Sequence, residues 1–334
     1  MTKDSVLAML RQSAGSVSGE DMSKRLGISR AAVNGAIKTL RAEGYRIDSA
    51  TNRGYALLSG PDALTMGELL ALLPEDRIER VLCLDSVSST NDYLKELAQK
   101  GAPSGLVVAA NGQTGGRGRM GREFSSPAGK GVYMSMLIRP HSLPADTAEI
   151  TAWTAVAISR AVERACGVVP DIKWINDLLL DGRKICGILT ELSVEGESGT
   201  IQYVVIGVGV NANEALSDFP EEIQETAGSV RMAAGRPVCR AKLAAEMIKA
   251  LDDMAKRWPD AHEEYLAEYR KKCVTPGKEV LLKAGDRQER AFAESIDDSF
   301  GLQVRLPDGT RRSVNSGEAS VRVENGYVYN YRLR

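Results

Sequence analysis

Gly116-Arg117-Gly118-Arg119-Met120-Gly121-Arg122 is the stretch on which the reading of this chain turns. Six of the twenty residues from Asn111 to Lys130 are glycine, and Arg117, Arg119, Arg122 and Lys130 stand against the single acid Glu123. Glycine lets backbone approach a ligand and adopt positive φ. Arginine offers a fixed fork of donors matched to phosphate and carboxylate oxygens. A loop of this kind suits a nucleotide or an acyl phosphate, the bland alternative being a solvated basic surface loop. The spacing also reads G-x-G-x-x-G after a strand-like Leu106-Val107-Val108-Ala109-Ala110. A dinucleotide fold requires a helix to open at the last glycine. The next residues, Glu123-Phe124-Ser125-Ser126-Pro127-Ala128-Gly129, are loop chemistry instead. A phosphate loop of the Walker type needs Lys then Ser/Thr, and Arg122-Glu123 occupies those places. Gly207-Val208-Gly209-Val210-Asn211-Ala212 is a second partial match, and it continues as an alternating strand. Neither nucleotide fold is supported.

Outward from the loop, the middle of the chain alternates strand and helix. Strands are expected at Val81–Asp85, Val132–Ile138, Ile172–Ile175, Leu178–Leu180, Lys184–Ser193 and Gln202–Asn211. Helices are expected from Ser89 or Thr90 to Gln99, from Thr147 to Cys166, and from Arg240 to Arg270 with a break at Pro259. Before this region, Val6–Leu10, Gly19–Leu26 and a helix capped by Ser29 and ending near Glu43 read as three helices. Tyr45–Asp48 and Tyr55–Leu58 around Thr51-Asn52-Arg53-Gly54 read as a hairpin. Three helices and a hairpin make a winged helix-turn-helix. The first sixty residues carry nine Lys/Arg against five Asp/Glu. Ser29, Arg30, Lys38, Arg41 and, on the hairpin, Arg46 and Arg53 are the candidate DNA contacts; a module used only for protein contacts is the alternative. After Thr275-Pro276-Gly277, short strands between Gly-Asp and Pro-Asp-Gly turns suggest a small β-barrel. The expected architecture is α+β and multidomain: 1–60 winged helix, 61–274 catalytic, 275–334 β-barrel.

At 334 residues, 43% apolar and 26% charged, the chain has the composition of a globular protein with a substantial core. A net charge of −1 argues against nonspecific nucleic-acid binding by the whole chain, though not by its basic N-terminal part. No apolar run approaches the roughly 20 residues that cross a membrane. Five cysteines without a C-x-x-C pair read as reduced thiols, hence a cytoplasmic protein. Two histidines exclude a multi-histidine metal site and disfavour a catalytic triad.

Five motifs now stand in order. They are Ser88-Ser89-Thr90-Asn91-Asp92, Gln113 to Arg122, Lys173-Trp174-Ile175-Asn176-Asp177, Arg183-Lys184-Ile185-Cys186-Gly187-Ile188-Leu189, and Gly207-Val208-Gly209-Val210-Asn211. Together they resemble the biotin protein ligases, and with the N-terminal winged helix the bifunctional ligase–repressor class. The resemblance covers all three domains. It implies a class II synthetase-like central domain, a C-terminal SH3-like barrel, and ATP with Mg²⁺. The implied reaction forms biotinyl-5′-AMP and pyrophosphate, then biotinylates one lysine of a carrier domain. It assigns biotin to Ser89, Thr90, Asn91, Gln113, Gly116, Arg117, Gly118, Arg119, Lys184 and Gly187. Gly116 and Gly187 would leave room for that ligand. The nucleotide falls to Arg119, Arg122, Lys173, Trp174, Asn176, Asp177 and Asn211, the metal to Asn211, and catalysis to Lys184 and Arg119.

Other roles fit the same residues: Ser89 or Thr90 as helix cap, Asn176-Asp177 as a turn, Lys184 as a solvent-facing strand residue. Ile175 replaces a proline usual in the family, and Phe124 a common tryptophan. Asn34-Gly35 replace a bulkier, more basic pair in the third helix, where glycine costs about 1 kcal/mol of helix propensity. The resemblance further implies operator DNA and a carboxyl carrier as partners, and a homodimer promoted by the adenylate. Two rivals are a lipoyl or octanoyl ligase, disfavoured by the polar Ser89, Thr90 and Gln113, and a ligand-sensing repressor without catalysis, disfavoured by Arg119, Lys184 and Asn211.

Overall fold

A computed structural model describes residues 2–50, 54–139, 147–194, 201–284, 287–315 and 318–321. The chain opens with α1 (Thr2–Gln12), α2 (Gly19–Leu26) and α3 (Arg30–Ala42). Ser18 and Ser29 cap the second and third by accepting the amides of Asp21 and Ala32, and Gly27 closes α2 at φ 62°. The antiparallel strands β1 (Arg46–Ala50) and β2 (Gly54–Ser59) come after them. Val6, Leu10, Met22, Val33, Ile37, Leu40 and Ile47 make a core of their own. A Cβ on Gly54, at φ 86°, would overlap the Val17 carbonyl, so only glycine lets the hairpin pair with the α1–α2 loop. Arg53 and the rest of the hairpin tip lie outside the described residues.

Two short helices that the sequence pattern did not announce, α4 (Met66–Leu70) and α5 (Glu75–Ile78), come next. Glu68 in α4 is buried and takes a bidentate pair from Arg11 of α1 at 2.7 and 2.9 Å. Tyr45 donates to the same carboxylate at 2.9 Å. A Cβ at Gly67 would press on the backbone of Asp4 at 3.0 Å, so α1 and α4 are in close contact.

The central part then runs through β3 (Val81–Leu84), α6 (Thr90–Gln99), β4 (Val107–Ala110), β5 (Val132–Ile138), α7 (Thr147–Cys166), β6 (Asp171–Lys173), β7 (Asp177–Leu180), β8 (Arg183–Val194) and β9 (Ile201–Val210). It continues with α8 (Val230–Ala234), α9 (Arg240–Arg257) and α10 (His262–Lys272). The sheet order is β3-β4-β5-β9-β8-β7-β6, with only the β3–β4 pair parallel. Alternation on its strands sorts the two faces. Val107 and Val204 join the main core with α7 and α9, whereas Val108 and Val205 join a smaller one with Leu94 and Ala98 of α6. The sheet is thus covered on both faces, and α6 lies alone on the face where the site forms.

The last part is an antiparallel five-stranded sheet of β10 (Lys278–Ala284), β11 (Arg287–Ile296), β12 (Leu302–Arg305), β13 (Arg311–Val314) and β14 (Glu318–Val321), in the order β13-β12-β11-β10-β14. Its core is continuous with the central one through Phe300 and Val280. Trp174 anchors the join: its amide donates to Thr275 Oγ1 and its indole to the Phe300 carbonyl, both at 2.9 Å. The cysteines form no disulfide. Among the described residues no helix is long and apolar enough to cross a membrane.

Candidate active site

Three glycines make the floor. Gly187 on β8 pairs with Gly209 on β9, and Gly207 lies two residues back on the same strand. Side chains at these positions would overlap what rests there, the Phe124 ring over Gly187 and Gly209 and the Asn91 amide over Gly207. The N-terminus of α6 forms one wall. Ser89 caps that helix, accepting the Asp92 amide at 3.4 Å, while Thr90 and Asn91 are buried beside it. The Thr90 amide and hydroxyl both donate to Gln113 Oε1, at 2.9 and 3.1 Å. Gln113 Nε2 donates to Ser126 Oγ at 2.9 Å, and Ser135 Oγ lies 2.7 Å from Thr90 Oγ1. A connected row of amide and hydroxyl groups therefore lines an otherwise glycine-and-aliphatic cavity of about 470 Å³. Such a row fits a ligand with a small, fixed set of donors and acceptors.

The glycine–arginine loop is the opposite wall. It turns through a short 3₁₀ segment, Arg119–Gly121, with Met120 at φ 56° and Gly121 at φ 72°. Its mouth is closed by the Gly118 amide donating to the Arg122 carbonyl at 2.7 Å. Arg119 donates to Asn176 Oδ1 at 3.1 Å, and Asn176 is fixed by its own Nδ2 donating to the Ile188 carbonyl at 3.1 Å. Gly116 does not border the cavity. A Cβ there would collide with the Phe124 carbonyl and Ser126 Oγ, so its bareness serves the crossing of the loop over itself rather than room for a ligand.

Lys184 stands where three cavities meet. It borders the one just described, a second of about 610 Å³ with Arg119, Arg122, Lys173, Trp174, Asn176 and Asp177, and a third of about 1030 Å³ that reaches Asn211, Phe219 and Ile223. Its Nζ lies 2.7 Å from Asp177 Oδ1, an ion pair by distance but not aligned as a hydrogen bond. Asn211 is held at the end of β9, with Nδ2 donating to the Gly228 carbonyl at 3.0 Å and to that of Lys184 at 3.4 Å. Just beyond it Glu214 is fully buried. The Tyr133 hydroxyl donates to its Oε1 at 3.2 Å, and Oε2 has no partner among the described residues. Burial pushes the Glu214 carboxyl up to about 7, with Tyr133 pulling the other way.

The residues expected at the site from the sequence, apart from Gly116 and the backing residue Asn211, thus gather around one joined cavity system. Ser126, Ser135 and Glu191 were not expected there. Ser135 had one visible signal, a lone serine inside the apolar run Val132–Ile138. Of the expected DNA contacts, Ser29 caps α3 and Arg41 donates twice to the Ile47 carbonyl, at 2.7 and 3.1 Å, which commits its guanidinium to the hairpin. Arg30 and Lys38 are exposed on α3. The Tyr55 hydroxyl donates to Asn34 Oδ1 and fastens that helix to β2.

Comparison with known proteins agrees with this layout. A family described as biotin/lipoate A/B protein ligase matches residues 83–211, and a helix-turn-helix family matches residues 2–56. The bifunctional ligase/repressor BirA of Bacillus subtilis (strain 168) is 40% identical over 226 residues, 67% of this chain and 69% of that protein. The protein of the same name from Escherichia coli (strain K12) is 30% identical over 306 residues, 91% of this chain and 92% of that one. A solved structure of the Aquifex aeolicus biotin protein ligase in complex with biotin and ATP superposes with a TM-score of 0.63 at 25% identity, covering 73% of this chain and 99% of that chain.

Proposed function

The chain belongs to the biotin/lipoate A/B protein ligase family, in its bifunctional ligase/repressor branch, and from that premise we propose how its residues divide the reaction. It is a biotin protein ligase with an N-terminal helix-turn-helix repressor domain. The observation that carries the detailed reading is the position of Lys184 at the junction of the three cavities. Biotin occupies the smallest, its ureido ring against Ser89, Thr90 and Gln113 and its carboxylate directed at Lys184. ATP occupies the other two, beside Arg119, Arg122, Lys173, Asn176 and Asp177.

The carboxylate attacks the α-phosphorus and pyrophosphate leaves, giving biotinyl-5′-AMP. Two anions must meet in this step, so preorganised positive charge is the main requirement. Lys184 and Arg119 supply it, and Asp177 and Asn176 hold those cations in place. In the second step the amine of a carrier lysine attacks the acyl carbon and AMP leaves. The acyl phosphate already has a good leaving group, so the loop's part is to shield it from water. Mg²⁺ fits this site as an ion carried on the phosphates. Among the described residues no cluster of three acidic, histidine or cysteine side chains could cage it, and Mg²⁺ commonly binds through one or two protein oxygens plus phosphates. When bound it neutralises phosphate charge, and Asp177 and the Asn211 amide oxygen are the donors offered.

We further assign residues 1–60 to operator DNA, 61–274 to catalysis, and 275–334 to an SH3-like barrel beside a class II synthetase-like centre. A biotin carboxyl carrier is the acceptor, the working form is an adenylate-promoted homodimer, and the compartment is the cytoplasm. The first test is release of pyrophosphate from ATP on adding biotin, with octanoate as the control acid. Release with biotin alone is expected. Equal release with octanoate would overturn the assignment of Ser89, Thr90 and Gln113.

A further inference from the structure

Arg117 sits between two loop glycines, and its side chain leaves the loop for the outside of the site. It pairs with Asp92 on α6 and comes within 3.7 Å of Glu191 on β8. Both carboxylates are held independently of the loop. Lys95 Nζ bridges them at 3.0 Å from Asp92 and 2.8 Å from Glu191. Glu191 also accepts from Asn91 Nδ2 at 2.8 Å, and Asn91 lines the smallest cavity. The anionic end of this arrangement is thus built on the α6 and β8 scaffold, tied to the cavity floor, and the cationic end is on the loop.

We propose that Asp92 and Glu191 are positioning residues that latch the glycine–arginine loop shut through Arg117, and so set how long the activated acyl ligand is retained. The inference rests on the ligase reading for its ligand, though not for the latch itself. Arg117 and Asp92 are each about two-fifths exposed. Exposed pairs are weak and salt-sensitive. That is the strength a loop needs if it must open once per turnover. Neither carboxylate reaches the reacting atoms, so they act on the dwell time and not on the chemical step.

The test compares the full-length protein with its Asp92→Asn and Glu191→Gln variants at low salt and at about 0.5 M salt, where charge screening falls to a few ångströms. Two readouts are taken, dissociation of biotinyl-5′-AMP and amide hydrogen exchange of residues 116–122 without ligand. At low salt both should quicken about three- to fivefold in Asp92→Asn, a range set by what exposed pairs contribute. The difference should vanish at high salt, and single-turnover adenylate formation should stay within about twofold of wild type. Arg117→Lys should keep most of the effect that Arg117→Ala loses. Unchanged exchange at low salt, or a change that persists undiminished in high salt, would overturn the latch. If the wild-type protein forms no adenylate, the ligase reading fails instead, and the exchange measurement still decides the latch.

Discussion

At the scale of single residues, two groups carry separable consequences. Lys184 is the cation common to the three cavities, paired at 2.7 Å with Asp177. Removing preorganised charge of this kind typically costs about 10²–10³ in rate. Lys184→Ala should therefore lower adenylate formation by that order, measured as pyrophosphate release, with near-wild-type turnover excluding it from the chemistry. Glu214 speaks to stability instead. Its carboxyl is raised by burial to about 7 in the folded chain, against about 4.3 in an unfolded one. A raised value means that the folded state holds the proton more tightly. The stabilisation is complete below about pH 4.3 and is lost as pH climbs through about 7. Glu214→Gln keeps the shape without the charge, so its Tm should exceed wild type at pH 8 and the gap should close by pH 5. A Tm difference independent of pH would mean that the carboxyl stays ionised throughout.

At the scale of elements, the arginine loop is the unit that has to move. Ordering its glycines is entropically unfavourable, and an anionic ligand offsets that through the arginines. Arg119 is tied to Asn176 across the cavity mouth, so Arg119→Gly removes both the charge and the tie. Faster escape of biotinyl-5′-AMP is expected, seen as adenylate in the filtrate of a rapid gel-filtration run; equal retention would count against this role for the loop. Much of this layer was legible in the sequence. The caps at Ser29 and Ser89 and the strand alternation in 201–210 are local signals, and the elements they marked formed within a residue or two. The short helices α4 and α5 were not legible, because five and four residues carry too little periodicity, and tertiary contacts such as Arg11–Glu68 stabilise the first of them. The same limit hid Glu191 and Ser135. Their importance comes from lying across the sheet from Asn91, which no spacing along the chain encodes. Gly116 was misjudged for a related reason: sequence shows that a loop needs glycine, not which crossing needs it.

At the scale of the whole molecule, the DNA-binding part is fastened to the catalytic part at two places. One is the Arg11–Glu68–Tyr45 group between α1 and α4. The other is Arg240, almost wholly buried at the start of α9, which grips Asp62 through its backbone amide, Nε and Nη2 and reaches Asn111 with Nη1. Asp62 also accepts from Asn213, two residues past Asn211. Removing one member of a buried pair typically costs about 3–5 kcal/mol. Arg240→Ala should show a loss of that order in denaturant melts; a change under about 1 kcal/mol would make the contact peripheral. If adenylate binding favours a dimer, DNA affinity should rise with biotin and ATP through differential affinity for that dimer. A promoter fragment upstream of biotin genes, titrated at fixed salt with and without both ligands, tests this. Affinity indifferent to ligand would leave a ligase with an idle helix-turn-helix. The Asp62 knot also bears on how such proteins could be recombined. A chimera that grafts a foreign reader ahead of residue 60 keeps Asp62, Arg240 and Asn213 together and inherits a stiff joint of native length. A graft spliced a few residues later discards Asp62, and its two halves would be joined by a tether and nothing more.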